Sequence, residues 1–146
     1  MASFRAPSSF DYTRALLVVP EDAPTYASGG LGKQRYLDYV ARYLGFLGER
    51  SRGRLLGLFT NAQDLEACAR RLAGFFRARG IRLYWQGMSG RSKEELAELF
   101  RGREPAVLLG LDTFWYGVDF PGEILEQVVL VKLPYGPIDR FHEAQA

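Results

Sequence analysis

The chain has 146 residues, 47% of them hydrophobic and 25% charged, with a net charge of +2. That is enough for one globular domain spanning 1–146 with a real core, and no apolar run approaches the roughly 20 residues that a membrane span needs. A lone cysteine, Cys68, excludes an internal disulfide framework and any Cys-only metal site, and the lone His142 has no ligand partner, since His-Glu-Ala-Gln-Ala is not His-Glu-x-x-His.

In chain order, an arm through Asp11-Tyr12 leads into a strand expected at Ala15 to Val19, and Pro20, Pro24 and Gly29-Gly30 then hold a loop open. Leu37, Val40, Ala41, Leu44 and Leu47 recur at spacings of three and four, which predicts a helix from about Lys33 to Gly48. Ser51-Arg-Gly53 turns the chain into a strand at Leu55 to Phe59. Asn61 is placed to cap the next helix, Ala62 to Arg79, whose stripe is Leu65, Cys68, Ala69, Leu72 and Phe76 and whose stop is Gly80. Cys68 on that stripe reads as a small core residue.

A strand at Ile81 to Trp85 ends in Gln86-Gly87, and Ser92-Lys-Glu-Glu95 has the spelling of a capping box that opens a helix burying Leu96, Leu99 and Phe100. Strands at Ala106 to Leu111 and Gln127 to Leu133 complete the set. Strands alternating with helical patterns mean βαβ units, hence an α/β three-layer sandwich around a mostly parallel sheet. One consistent crossover hand gathers the loops at one edge: Thr60-Asn61, Gln86-Gly87, Asp112 to Asp119 and Lys132 to Tyr135.

A domain that cleaves ATP unaided needs the cradle Gly-x-x-x-x-Gly-Lys-Ser/Thr, whose backbone N–H groups hold phosphates. The nearest approach is Gly29-Gly-Leu-Gly-Lys33, but Gln34 replaces the hydroxyl residue and Ala27 the first Gly, so it reads as a loop and helix start. No Gly-x-Gly-x-x-Gly, Gly-x-Ser-x-Gly or Ser/His/Asp set is present. The chain therefore lacks a complete catalytic site. Its most informative stretch is Leu108 to Gly122, where a near-continuous apolar strand runs into a loop rich in Gly, aromatic and acidic residues. Gly117 permits close backbone approach by a ligand and Asp119 offers a carboxylate to a ribose hydroxyl. Phe114 and Trp115 are suited either to stack on a base or to seal the sheet's end, and core packing is the preferred reading of Phe114. Most of Arg50, Arg52, Arg54, Arg70, Arg71, Arg77, Arg79 and Arg82 read as a solvated face.

The run Leu109-Gly-Leu-Asp-Thr-Phe-Trp-Tyr-Gly-Val-Asp-Phe-Pro-Gly122, followed by Val128-Val-Leu-Val-Lys-Leu-Pro-Tyr-Gly-Pro137, resembles motif V and the next strand of DinG/XPD-type superfamily 2 DNA helicases. Ser8-Ser-Phe-Asp-Tyr12 is similar to the family's Ser-Pro-Phe-Asp-Tyr, Leu56-Gly-Leu-Phe-Thr-Asn61 to its motif IV strand, and Gln86-Gly87 to the Gln-Gly before its next helix. The resemblance implies the second RecA-like motor domain, which lacks the Walker motifs. ATP and Mg2+ would then be bound mainly by a first RecA-like domain of the parent chain, with Gly117 and Asp119 bordering the nucleotide. Thr60, Asn61, Gln86, Gly87 and Thr113 would hold phosphates of single-stranded DNA.

Two departures stand out: Tyr116 replaces the usual Glu, and Leu111-Asp112 replaces Thr or Ser followed by a small residue. The family's motif VI, Gln-x-x-Gly-Arg with its arginine finger, does not occur before Ala146, so the expectation is a partial domain, inactive alone. The leading expectation is part of an ATP-dependent DNA helicase acting in repair or replication, cytoplasmic and without a membrane partner. The rival is a non-catalytic nucleic-acid-binding or interaction module, a helicase remnant.

Overall fold

The computed structural model describes residues 13, 15–26, 29–115, 119, 120 and 122–132. Four parallel strands, β1 (Leu55–Phe59), β2 (Arg82–Trp85), β3 (Ala106–Leu111) and β4 (Gln127–Leu130), form one sheet in the order β2-β3-β1-β4. Three helices cover it: α1 (Gly30–Arg50), α2 (Ala62–Ala78) and α3 (Lys93–Phe100).

The central strands explain the layers. In β1, Leu55 and Phe59 face a cluster with α1 and α2, whereas Leu56 and Leu58 face α3, and β3 alternates in the same way through Val107 and Leu109 against Ala106 and Leu108. A strand buried on both faces reads as an unbroken apolar run, and these two do. Each fully buried Leu or Phe contributes about 1.5–3 kcal/mol. The path β1–α2–β2 moves one way across the first face, and β2–α3–β3 and then β3–β4 move back across the second, so every crossover has the same hand.

The expected helices form, with small boundary shifts. α1 begins at Gly30 rather than Lys33, so Gly-Leu-Gly-Lys lies inside the helix. The strand expected at Ala15 to Val19 is a correction: these residues join no strand ladder, and Leu16 and Leu17 are 87% and 88% exposed. β-branched and apolar residues favour a pleated, half-buried surface, yet a strand exists only against a neighbour that supplies the ladder. β4 has such an unpaired edge among the described residues, and its Val128 and Leu130 stay exposed because α3 does not reach them. β4 ends at Leu130; the expected continuation to Leu133 lies partly outside the described residues.

The turn from α1 into β1 ties three strands together. Gly53 has φ +82, and a Cβ there would sit 2.4 Å from the Ala106 nitrogen. Next to it, Arg54 N–H donates to Ala106 O at 2.8 Å while Arg54 O accepts from Glu126 and Gln127 N–H at 2.9 and 3.1 Å. Gly53 is thus required for both its backbone conformation and its closeness to β3. Gly53→Ala is expected to cost at least about 2 kcal/mol, read as a lower urea midpoint at unchanged m-value.

Cys68 is fully buried in the α1–α2 cluster, as its place on the stripe indicated. Burial, followed by smaller contributions in which Arg71 opposes Asp64 and Asp38, pushes its thiol from 9.0 up to about 12. Between these values the unfolded chain sheds the proton while the folded chain keeps it, so stability is lost as pH rises through that window. Urea midpoints from pH 8 to 11 are expected to fall less steeply in Cys68→Ala, and native Cys68 to resist a thiol reagent at pH 8 until the chain is unfolded.

Candidate functional site

The carboxyl ends of the strands make one edge of the sheet, and the chain path puts all three helix amino termini there. α2 and α3 follow the carboxyl ends of β1 and β2, and α1 runs back down the sheet to the start of β1. Each helix start carries roughly half a positive charge, so this edge favours anions. With strands about 4.8 Å apart, the ends of β2, β3 and β1 place Gln86, Thr113 and Thr60-Asn61 in a row about 10 Å long.

Asn61 caps α2, its side-chain oxygen accepting from Gln63 N–H at 2.7 Å and Asp64 N–H at 3.2 Å. Gln86 extends the β2–β3 ladder: its backbone N–H donates to Leu109 O at 2.9 Å and its side-chain oxygen accepts from Leu111 N–H at 2.9 Å. Both carboxamides have the oxygen committed to backbone, which leaves the NH2 group as the part that can meet a ligand, a donor suited to phosphate. Thr60 is exposed beside Asn61. Gly87, at φ +102, turns the chain sharply after Gln86, a conformation that favours glycine.

Thr113 is also exposed and sits on the short helical turn Asp112–Trp115, its N–H donating to Asp112 Oδ1 at 2.9 Å. Beneath it Phe114 is fully buried against Leu56, Leu58 and the start of α3, confirming the core reading. A Cβ on Gly110 would lie 2.9 Å from Phe114 Cβ and Cγ, so Gly110 is small to let this ring seal the end of β3. Lys93 Nζ donates to Thr113 O at 3.2 Å and lies 5.6 Å from the Phe114 ring centroid.

Asp119 is elsewhere. Grouping Asp112 to Asp119 at one edge is corrected: Asp119 O accepts from Arg101 at the carboxyl end of α3, whose amino end is the one at that edge. Phe120 packs edge-on against Phe100 at 5.0 Å, and Ile124 and Leu125 join the same cluster, because the crossing to β4 must cover the apolar second face of the sheet. Asp119 itself is exposed, and Gly117 and Tyr116 lie outside the described residues.

The glycine-rich start of α1 is not a phosphate cradle. Lys33 Nζ lies 3.1 Å from Oδ1 of buried Asp64 on α2, an oxygen that receives no aligned hydrogen bond and is held by charge alone. Burying an unpaired carboxylate is costly, so the lysine charge stabilises Asp64 in place. Tyr36 seals this corner, donating to Val131 O at 2.7 Å, with its hydroxyl pKa raised by burial and then by Asp64.

Lys93 and Arg101 were not singled out from sequence; their only signal is that basic residues stand at the first position and just past the last position of α3. The arginines named as a solvated face mostly form surface ion pairs, among them Arg70–Glu66, Arg71–Asp38 and Arg82–Glu104. Among the described residues no helix is long and apolar enough to cross a membrane.

The parallel sheet and its helix layers fit a RecA-like α/β domain. Residues 47–146 match the helicase C-terminal domain family. The chain is 32% identical over 145 residues to the 3'-5' exonuclease DinG of Bacillus subtilis, covering 98% of this chain and 15% of that protein. It is 35% identical over 135 residues to the ATP-dependent DNA helicase YoaA of Escherichia coli, covering 91% of this chain and 20% of that one, and 31% identical over 130 residues to the YoaA of Haemophilus influenzae, covering 88% and 19%. The chain belongs to the helicase C-terminal domain family and is of the DinG/XPD type. It spans about a fifth or less of the length of these relatives.

Asn61→Ala removes the α2 cap and is expected to cost about 1 kcal/mol in urea unfolding. Asn61→Asp keeps a side-chain oxygen at the cap beside the positive helix start and is expected to stay close to the parent stability.

Proposed function

We propose that this domain is the second motor domain of an ATP-dependent DNA helicase, and that its carboxyl edge holds phosphates of single-stranded DNA through Thr60, Asn61, Gln86, Gly87 and Thr113. The observation that carries this reading is the matched state of Asn61 and Gln86, whose oxygens are pinned by backbone N–H groups while their amides remain as donors along an edge of helix starts. Such contacts track a sugar–phosphate backbone without reading base sequence. The relatives named as DNA helicases support the same assignment.

Asp119, with Gly117, is assigned to the nucleotide side. The exposed Asp119 carboxylate fits a ribose hydroxyl, which needs an acceptor. The phosphates and Mg2+ do not fit the described residues: Lys33 is held by Asp64, and no group of three or more His, Cys, Asp or Glu is placed to hold a metal ion. Those parts belong to the first RecA-like domain, across a shared cleft. Closing and opening of the two domains then moves the strand, in DNA repair or replication. Phosphoryl transfer depends on positioning and charge from both sides of the cleft, so this domain by itself does not turn over ATP.

The test is binding of the chain to a fluorescent oligo-dT as salt is varied. The logarithm of affinity is expected to fall linearly with the logarithm of salt, as several phosphate contacts require. Gln86→Glu keeps an acceptor for Leu111 N–H but replaces the donor with a negative charge, and is expected to weaken binding about tenfold at unchanged thermal stability. Salt-independent binding, or equal affinity of parent and Gln86→Glu, removes this edge from the DNA path. Full DNA binding without ATP hydrolysis in the full-length protein favours the non-catalytic binding module.

A further inference from the structure

α3 touches the segment after β3 at both of its ends. At the first, Ser92 caps the helix by accepting from Glu95 N–H at 3.1 Å, and Lys93 reaches Thr113 O and the Phe114 ring. At the other, Arg101 Nε and Nη2 both donate to Asp119 O, at 3.0 and 2.7 Å, while Nη1 pairs with Glu98 at 2.7 Å and the guanidinium lies 5.3 Å from the Phe120 centroid. We propose that Arg101 is a positioning residue for Asp119, and that α3 is a strut joining the Thr113 end of this segment to the Asp119 end. The proposal rests on the reading that Thr113 meets DNA and Asp119 meets nucleotide.

The geometry is particular to arginine. A fork of two N–H groups on one carbonyl oxygen fixes the direction of that carbonyl, and with it the peptide plane that sets where the Asp119 side chain projects. The fork itself is immobilised by Glu98 and by Phe120, which Phe100 holds edge-on. A lysine has no planar fork and would meet the carbonyl as a single mobile charge. Lys93 is equally telling, because a cation in the first turn is opposed by the helix dipole and needs another reason for its place. Thr113 O and the Phe114 ring provide one. From Lys93 to Arg101 the helix is about 12 Å of hydrogen-bonded backbone, so a shift imposed at Thr113 is carried to Asp119 rather than absorbed between them.

The test uses the full-length protein, with ATP hydrolysis measured with and without oligo-dT and DNA binding measured separately. Arg101→Gln is expected to raise the KM for ATP about tenfold and to reduce stimulation by DNA at least threefold, with oligo-dT affinity within twofold of the parent. Arg101→Lys is expected to recover only part of both effects, and it replaces Arg101→Gln if the latter does not fold. Glu66→Gln, which removes a surface pair on α2 remote from Arg101 and Asp119, is expected to match the parent. A parental KM and DNA stimulation in the Arg101 variants, alongside a raised KM in Asp119→Asn, overturns the proposal and leaves the nucleotide-side role of Asp119 standing. A parental KM in Asp119→Asn overturns that role and the proposal with it.

Discussion

The pairing of β1 with β3, buried on both faces, is the constraint on which the rest of the molecule depends. Leu55 aligns with Val107 and Phe59 with Leu111, so both strands end at the same level. Thr60-Asn61 and Asp112-Thr113 then emerge side by side. Arg54 holds the opposite end by joining β1 to β3 and to the residues leading into β4. A slip of one residue would send every side chain of β1 to the other layer and would put a side chain where Gly57 leaves room for Leu109. The register of the core therefore sets the geometry of the candidate ligand edge.

At that edge, side chains and backbone complete one another. Cap and ladder groups left over where a helix starts or a strand stops must be satisfied, and here Asn61 and Gln86 satisfy them. The same bonds aim their remaining donors. Stability and the candidate function are thus coupled in two carboxamides, and acidic replacements separate the two roles by keeping the acceptor and losing the donor. Lys33 shows the opposite outcome: a lysine in a glycine-rich helix start that resembles a phosphate cradle is taken up by a buried aspartate on the neighbouring helix.

Much of this was legible from residue pattern. The three helices follow the three-and-four spacing of Leu37 to Leu47, Leu65 to Phe76 and Leu96 to Phe100, and the caps at Asn61 and Ser92 are where small polar residues precede those stripes. The burial of Cys68 followed from the same logic. Ala15 to Val19 was misread because an apolar, β-branched run records propensity, and propensity is silent about whether a partner strand lies alongside. Asp119 was placed with Thr113 because proximity in sequence stands in for proximity in space within a loop. That fails when the loop has to cross a sheet face.

The sequence by itself determined the alternation of elements, the parallel α/β class, the absence of a phosphate cradle matching the full motif, and the residues gathered after each strand. These are local properties, written in periodicity and in motif spelling. Tertiary structure alone decided that Lys33 belongs to Asp64, that Gln86 completes the β2–β3 ladder, and that Thr113 and Asp119 meet Lys93 and Arg101 at the two ends of α3. Each of these contacts joins residues far enough apart in sequence that no local period links them. They exist because burial of the two cores brings α1 against α2 and the β3–β4 crossing against α3.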